Sequence, residues 1–282
     1  MDTRPLLASG FLAAVVSAAP ATASVVRSIP VVTQVQGATF YRTSITLGNG
    51  SPTLTTPVDM MFSYRSPADG TFQIAHLPLS PDLGPHRVRF FDDIIQTFKD
   101  AGVLRAQDAS QPLFGTLLLT YSALSIRAEA NAVARTYSPA DGGGTLGIAY
   151  ASRCYCSTGS QQRVLGPGRS GVFGNDGSTR ANLGIVNEGT GATDVRVTYY
   201  DGETGAQLKQ FLASTVAHHI LEENEVVQFN SIFADAAIPS TTHTLEIQVE
   251  ALVPDTQYVS AYAVQLDNVT NDGSFFFLDQ EE

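Results

Sequence analysis

His218 and His219, followed by Glu222 and Glu223, are the densest set of metal-ligating side chains in the chain. The run from His219 to Glu223 approximates the His-x-x-Glu-His zinc signature, with Glu223 standing where the second histidine belongs. Such a site needs a helix to bring both ligands to one face. Here the run from Lys209 to Ile220 reads as strand, whose alternation sends the two histidines to opposite faces. The expectation is therefore a solvated strand end without metal or cofactor, with His218, His219 and Glu222 the residues to inspect. The remaining histidines, His76, His86 and His243, are isolated from any nucleophile.

Cys154 and Cys156 are the two cysteines, one residue apart. In an oxidising compartment three outcomes stay open: a strained bridge between them, pairing between chains, or free thiols. Ser170 in Gly168–Gly171 lacks the Gly-x-Ser-x-Gly spacing of a nucleophile elbow. Asn175–Gly177 and Asn271–Gly273 resemble calcium-loop ends but lack the spaced carboxylates calcium requires, so plain turns are expected. Asp92 and Asp93 are read as helix caps and not as catalysts, because Asn230 and Ser231 hold their places further on. Tyr199, Tyr200, Tyr258, Tyr262 and Phe275–Phe277 offer flat faces to a sugar, yet the chain has no tryptophan, and core packing is the expectation for most of them. No stretch holds a nucleophile, a base and an orienting group together, so no enzyme is predicted.

The elements that carry these residues are strands. Val58, Met60 and Phe62 alternate with Asp59, Met61 and Ser63, and Leu245, Ile247 and Val249 alternate with Glu246, Gln248 and Glu250. Turn sequences punctuate them at Asn49-Gly50, Asp69-Gly70 and Asp201-Gly202. This predicts an all-β fold of antiparallel sandwiches, Ig-like or jelly-roll-like. One short helix interrupts each half: Asp92 or Asp93 caps Ile94–Phe98, which ends near Gly102, and a counterpart starts at Asn230.

The pattern occurs twice. Arg42–Asn49 returns as Arg180–Asn187, and Phe91–Ile94 as Phe229–Ile232, both 138 residues later. Ala130–Val133 matches Ala261–Val264, 131 residues later. A repeat of that length means two similar domains. The reading is a signal peptide at 1–23, a sandwich at 24–150, a linker at 151–171 rich in Gly, Ser and Pro, and a second sandwich at 172–282. The leader has Arg4, an apolar stretch from Leu6 to Ala19, and the small-x-small pattern Ala21–Ala23, which predicts export and a mature start near Ser24. No later segment is long and apolar enough to span a membrane.

Only 15% of the residues are charged, against about 25% in ordinary soluble domains, as suits a secreted β-protein. The net charge of −11 argues against nucleic acid or anionic lipid as a partner, since either needs a basic face. A protein or glycan surface partner, and assembly into oligomers, stay open.

Leu183–Gly189, Val195–Asp201 and Val226–Asn230 together resemble a sandwich domain that recurs in tandem in large secreted bacterial proteins of acidobacterial type. They are also similar to the sensory rhodopsin transducer family. The resemblance covers most of 172–280 and, more loosely, 30–150. It implies a small sandwich able to oligomerise, and no chemistry, because the matching positions are strands and turns. A transducer role does not carry over to an exported chain. The function expected is a secreted structural or adhesion-type protein at the cell surface or in the periplasm, acting through surface contacts. The alternatives are a module that binds polysaccharide or a surface partner, and a hydrolase with an unrecognised site.

Overall fold

The computed structural model describes residues 24–37, 39–140, 143–154, 163–165, 179–242, 244–252, 258–267 and 273–277. The expected signal peptide at 1–23, Cys156, Ser170, Asn175–Gly177, His243 and Asn271 lie outside them.

Nine strands make the first half: β1 (Ser24–Gln36), β2 (Phe40–Asn49), β3 (Val58–Arg65), β4 (Phe72–Pro78), β5 (Val88–Phe91), β6 (Leu113–Ser122), β7 (Ala130–Pro139), β8 (Thr145–Ala151) and β9 (Arg153–Cys154). They form one antiparallel sheet in the order β4-β3-β6-β1-β2-β7-β8, with β5 also on β2 and β9 on β1. The sheet is continuous because β1 serves both layers. It pairs with β6 along most of its length, shifts register between Ile29 and Val32, and then pairs with β2 through Gln34–Gln36. Ile45 and Leu47 from one layer meet Phe62, Leu117 and Leu119 from the other in a single buried core.

The second half holds β10 (Arg163–Leu165), β11 (Thr179–Asn187), β12 (Val195–Asp201), β13 (Gln207–Leu212), β14 (Val226–Phe229), β15 (Leu245–Ala251), β16 (Val259–Asp267) and β17 (Gly273–Phe277). They form two antiparallel sheets, β10-β15-β12-β13 and β14-β11-β16-β17, around a core of Leu183, Ile185, Val197, Tyr199 and Ile247. The all-β antiparallel sandwich expected from the alternation is the fold of the chain.

Each pairing in the second half has its equivalent in the first: β11 with β14 and β16 repeats β2 with β5 and β7, and β12 with β13 and β15 repeats β3 with β4 and β6. The isolated bridge Thr56–Leu83 returns as Thr193–Leu221. One buried side chain fixes this corner in both halves. Asn49 donates to the carbonyls of Leu54, Leu83 and Gly84 and accepts from the Ser51 amide, and Asn187 donates to Gly191 and Leu221 and accepts from Gly189. Asparagine can do this because its amide offers two donors and an acceptor to a turn that has no ladder partner.

The structure moves one boundary of the repeat. Asn49 stands opposite Ala130, and Asn187 stands opposite Val259, so the last strands correspond at a shift of 129 and not 131. A slip of two residues keeps every side chain on its own face, which is why the alternation of the two segments matched equally well in the wrong register.

Two further expectations are corrected. The segment 151–171 is not linker throughout, since β9 pairs with β1 and β10 pairs with β15. Short strands of that kind are held by backbone bonds, which composition does not report. The helices also differ between halves. In the first, α1 (Ile94–Asp100) is capped by Asp93, whose Oδ1 accepts from the Gln96 amide at 3.0 Å, and Gly102 follows at positive φ. In the second, the equivalent is a 3-10 turn, Ile232–Ala234, where Ser231, at the place of Asp93, lies in the left-handed region and makes no side-chain capping bond. The α-helix of that half, α2 (Ala213–Ala217), lies elsewhere, directly after β13.

Candidate functional site

The sheet β14-β11-β16-β17 presents one face to its own core and the other to the first sandwich. On the outward face β11 places Arg180, Asn182, Gly184 and Val186, and β14 places Val226 and Gln228. Tyr262, Val264 and Leu266 of β16 lie beside them, with Phe275 of β17. Val186, Val226, Tyr262 and Val264 are buried in the same cluster as the first sandwich's core, so the two halves share apolar packing. Phe275 stacks between Tyr150 and Tyr262, with ring centroids 4.5 and 4.9 Å apart.

Beside this stack the surfaces part around a cavity of about 370 Å³. Val31, Val35, Phe114 and Ile148 line it from the first sandwich, and Val264 and Leu266 from the second. The first sandwich adds the hydroxyl-bearing Thr33, Tyr41, Thr136 and Tyr150, and the second gives it Arg180, Asn182, Gln228 and Asn230. These groups hold one another in place. The Tyr262 hydroxyl donates to Gln228 Oε1 at 3.2 Å, Gln228 Nε2 donates to Asn230 Oδ1 at 2.7 Å, and the Ser231 amide donates to Asn182 Oδ1 at 2.9 Å. A backbone N–H can only donate, so the Asn182 oxygen is fixed against Ser231 and its NH₂ is what remains to offer. With the guanidinium of Arg180 this makes a donor-rich edge against apolar walls. Among the described residues that line it there is no carboxylate, imidazole or thiol. The arrangement can hold an acceptor-bearing molecule.

A second contact locks the halves at the rim. Glu225 is buried, yet its carboxylate takes Arg65 Nε at 2.7 Å and Nη2 at 2.8 Å, His219 Nε2 at 2.8 Å and the Glu222 amide at 2.9 Å. Bidentate pairing with a guanidinium is the geometry that makes a buried carboxylate tolerable.

The sequence candidates settle around these two centres without forming a third. His219 is not on a strand end: β13 stops at Leu212, α2 follows, and His218 closes it in the left-handed region at φ 64. Both ring nitrogens of His219 face protein oxygens, Glu225 Oε1 and the Ala217 carbonyl at 2.7 Å, and Glu222 enters only through its backbone. Among the described residues no group of three or more His, Cys, Asp and Glu side chains is placed to hold a metal. Asp92 accepts from the Tyr137 hydroxyl at 2.6 Å and pairs with Arg42 at 3.2 Å, a structural tie that keeps β2 against β7. Burial and that bond push the Tyr137 hydroxyl up to about 12. Cys154 ends β9 opposite Arg27, and its pairing with Cys156 falls outside the described residues. Tyr199 and Tyr262 are buried, as expected of core aromatics.

Glu225, Asn182, Gln228 and Asn230 were not legible as site residues. Their signal lay in the difference between the copies on one sheet face, where Thr46, Phe90 and Val133 of the first half become Gly184, Gln228 and Tyr262.

No protein-family model matches the chain, and no curated protein matches it. Among solved structures it is similar at a low level to the apo form of a Pleurotus ostreatus lectin, with 9% identity over 92% of this chain and 76% of the lectin and a TM-score of 0.18, short of a shared fold.

Proposed function

We propose that the chain is a non-enzymatic binding protein of the cell exterior, related to the tandem sandwich domains of exported bacterial proteins, which works through contacts of its two sandwiches. Its ligand lies in the cleft between them. The observation that carries this reading is the cavity itself, with apolar walls from both halves and an edge of amide and guanidinium donors from the second. Such a site suits a compact molecule with an apolar body and oxygen acceptors at one end. Adhesion to a surface glycan or envelope protein is the wider role that an exported pair of sandwiches would serve.

Calorimetric titration against medium-chain carboxylates, the matching alcohols and cell-wall oligosaccharides tests it. The carboxylates are expected to bind, and Asn182→Leu to weaken them about tenfold or more, because the lost donor leaves the acceptor buried and unpaired. Binding of the alcohols as tight as that of the carboxylates, or binding indifferent to Asn182→Leu, would refute the site. Turnover in a hydrolase screen that a His219 or Asp92 variant abolishes would refute the class.

A further inference from the structure

The face that the second sandwich buries is left bare in the first. By strand register, Val226 corresponds to Val88 and Tyr262 to Val133. Val226 and Tyr262 are 8% and 1% exposed, whereas Val88 and Val133 are 66% and 49% exposed. Phe90, on β5 with Val88, lies across β2 from Val133 and is 60% exposed. Three large apolar side chains on the outer face of one sheet form a patch that a solitary domain has no reason to display.

The chain itself shows what covers this face. In the second half it is another sandwich, fixed at its rim by Arg65 on Glu225. One member of that ion pair is reversed in charge at its equivalent place, and the other, Arg65, is replaced by Tyr200 at the mouth of an acidic turn. Glu225 corresponds to Arg87, since the Asn187 amide donates to the Glu225 carbonyl as the Asn49 amide does to that of Arg87. Arg65 precedes the turn Ser66–Gly70, whose equivalent is Asp201–Gly205: Gly205 donates to Asp201 as Gly70 donates to Ser66. That second turn carries the exposed acid Glu203. The first sandwich thus offers an exposed Arg87 beside Val88, and the far end of the second sandwich offers Glu203.

We infer that the bare face, Arg87, Val88, Phe90 and Val133, docks a second copy of this chain head to tail, the Asp201–Gly205 turn of one copy taking the place beside Arg87 that the Ser66–Gly70 turn takes beside Glu225 inside the chain. This surface is separate from the cleft. A contact between unlike surfaces does not close on itself, so copies add in a row. The opposite charges of Glu203 and Arg87 set the register.

Sedimentation of the purified chain over rising concentration, at low and high salt, tests the inference. The weight-average mass is expected to climb past two chains without a plateau, and less steeply at high salt. Arg87→Glu and Glu203→Arg should each weaken association by roughly tenfold, and the double variant should recover it. Phe90→Gln, which installs the residue held at the equivalent place in the second sandwich, should weaken it as well. All three side chains are exposed, so circular dichroism and Tm should stay as in the parent. A constant monomer mass, a closed dimer, or a double variant no stronger than the singles would overturn the proposal.

Discussion

The two sandwiches agree most closely where the chain turns and diverge on the outer face of a single sheet. At the corner, Asn49 and Asn187 each donate to the carbonyl of the bridging leucine, Leu83 or Leu221, and accept from the amide two residues on. On the sheet, Thr46, Phe90 and Val133 give way to Gly184, Gln228 and Tyr262, and a face open to solvent becomes the wall of a cleft. The difference separates two kinds of constraint. Groups that satisfy buried backbone polar atoms hold the architecture in either copy. Groups on an outer sheet face are unconstrained by that architecture and take whatever character their neighbour requires.

The strongest way to break this comparison is to truncate equivalent residues on the two faces. Tyr262→Ala removes a buried ring packed between the halves and should cost about 3–5 kcal/mol in denaturant unfolding. Val133→Ala, at the equivalent position, should stay within about 0.5 kcal/mol. Similar losses at both would mean that the faces are not in different environments. Next in size, Asn49→Ala and Asn187→Ala should each cost about 2–3 kcal/mol, because each leaves several turn carbonyls without a donor. Unequal losses would show that the shared corner is not equally important in the two halves. Arg65→Ala should cost about 2 kcal/mol, less than a fully buried pair, since the guanidinium is partly solvated while Glu225 is not. Its expected signature in calorimetry is two separate transitions, against coupled ones expected for the parent.

The smallest effect sharpens the comparison by pH. Burial and the neighbouring carboxylate of Asp108 push the Tyr64 hydroxyl up from 10.0 to about 12, and the Tyr64–Asp108 bond at 3.1 Å belongs to the first sandwich. A hydroxyl whose proton is held more tightly in the folded state stabilises fully below pH 10 and loses that contribution as pH rises through about 12. Tyr64→Phe should therefore flatten the fall in stability between those values, and absorbance titration of phenolate should lose one late-ionising group. An unchanged alkaline profile would remove Tyr64 from the account.

Much of this was readable in the residues. The strands from Val58 and Leu245, the Asp93 cap and the duplication follow from alternation and local bonding, which act within a few residues of the chain. The register of the last strands was not, because alternation is blind to a slip of two. The helix α2 was missed because Ala213–Ala217 is a single turn with no side-chain cap. Glu225 was missed for a different reason. Its partner Arg65 lies 160 residues away, and a carboxylate beside His219 reads as a surface charge until the other half is placed against it.

Gly184 lies directly opposite Tyr262, and a Cβ there would come within 1.9 Å of the tyrosine ring. The equivalent pair in the first sandwich is Thr46 opposite Val133, where both side chains have room. Neither member of the second pair can change alone to its counterpart in the first: a threonine at 184 would expel the ring, and a valine at 262 would leave a gap above the glycine. Gly184 with Tyr262 and Thr46 with Val133 are therefore matched pairs, and that matching makes the halves non-interchangeable. Swapping them in order along the chain would set Thr46 and Val133 where a ring is needed to fill the contact. The duplication, once specialised at this one pair, became directional.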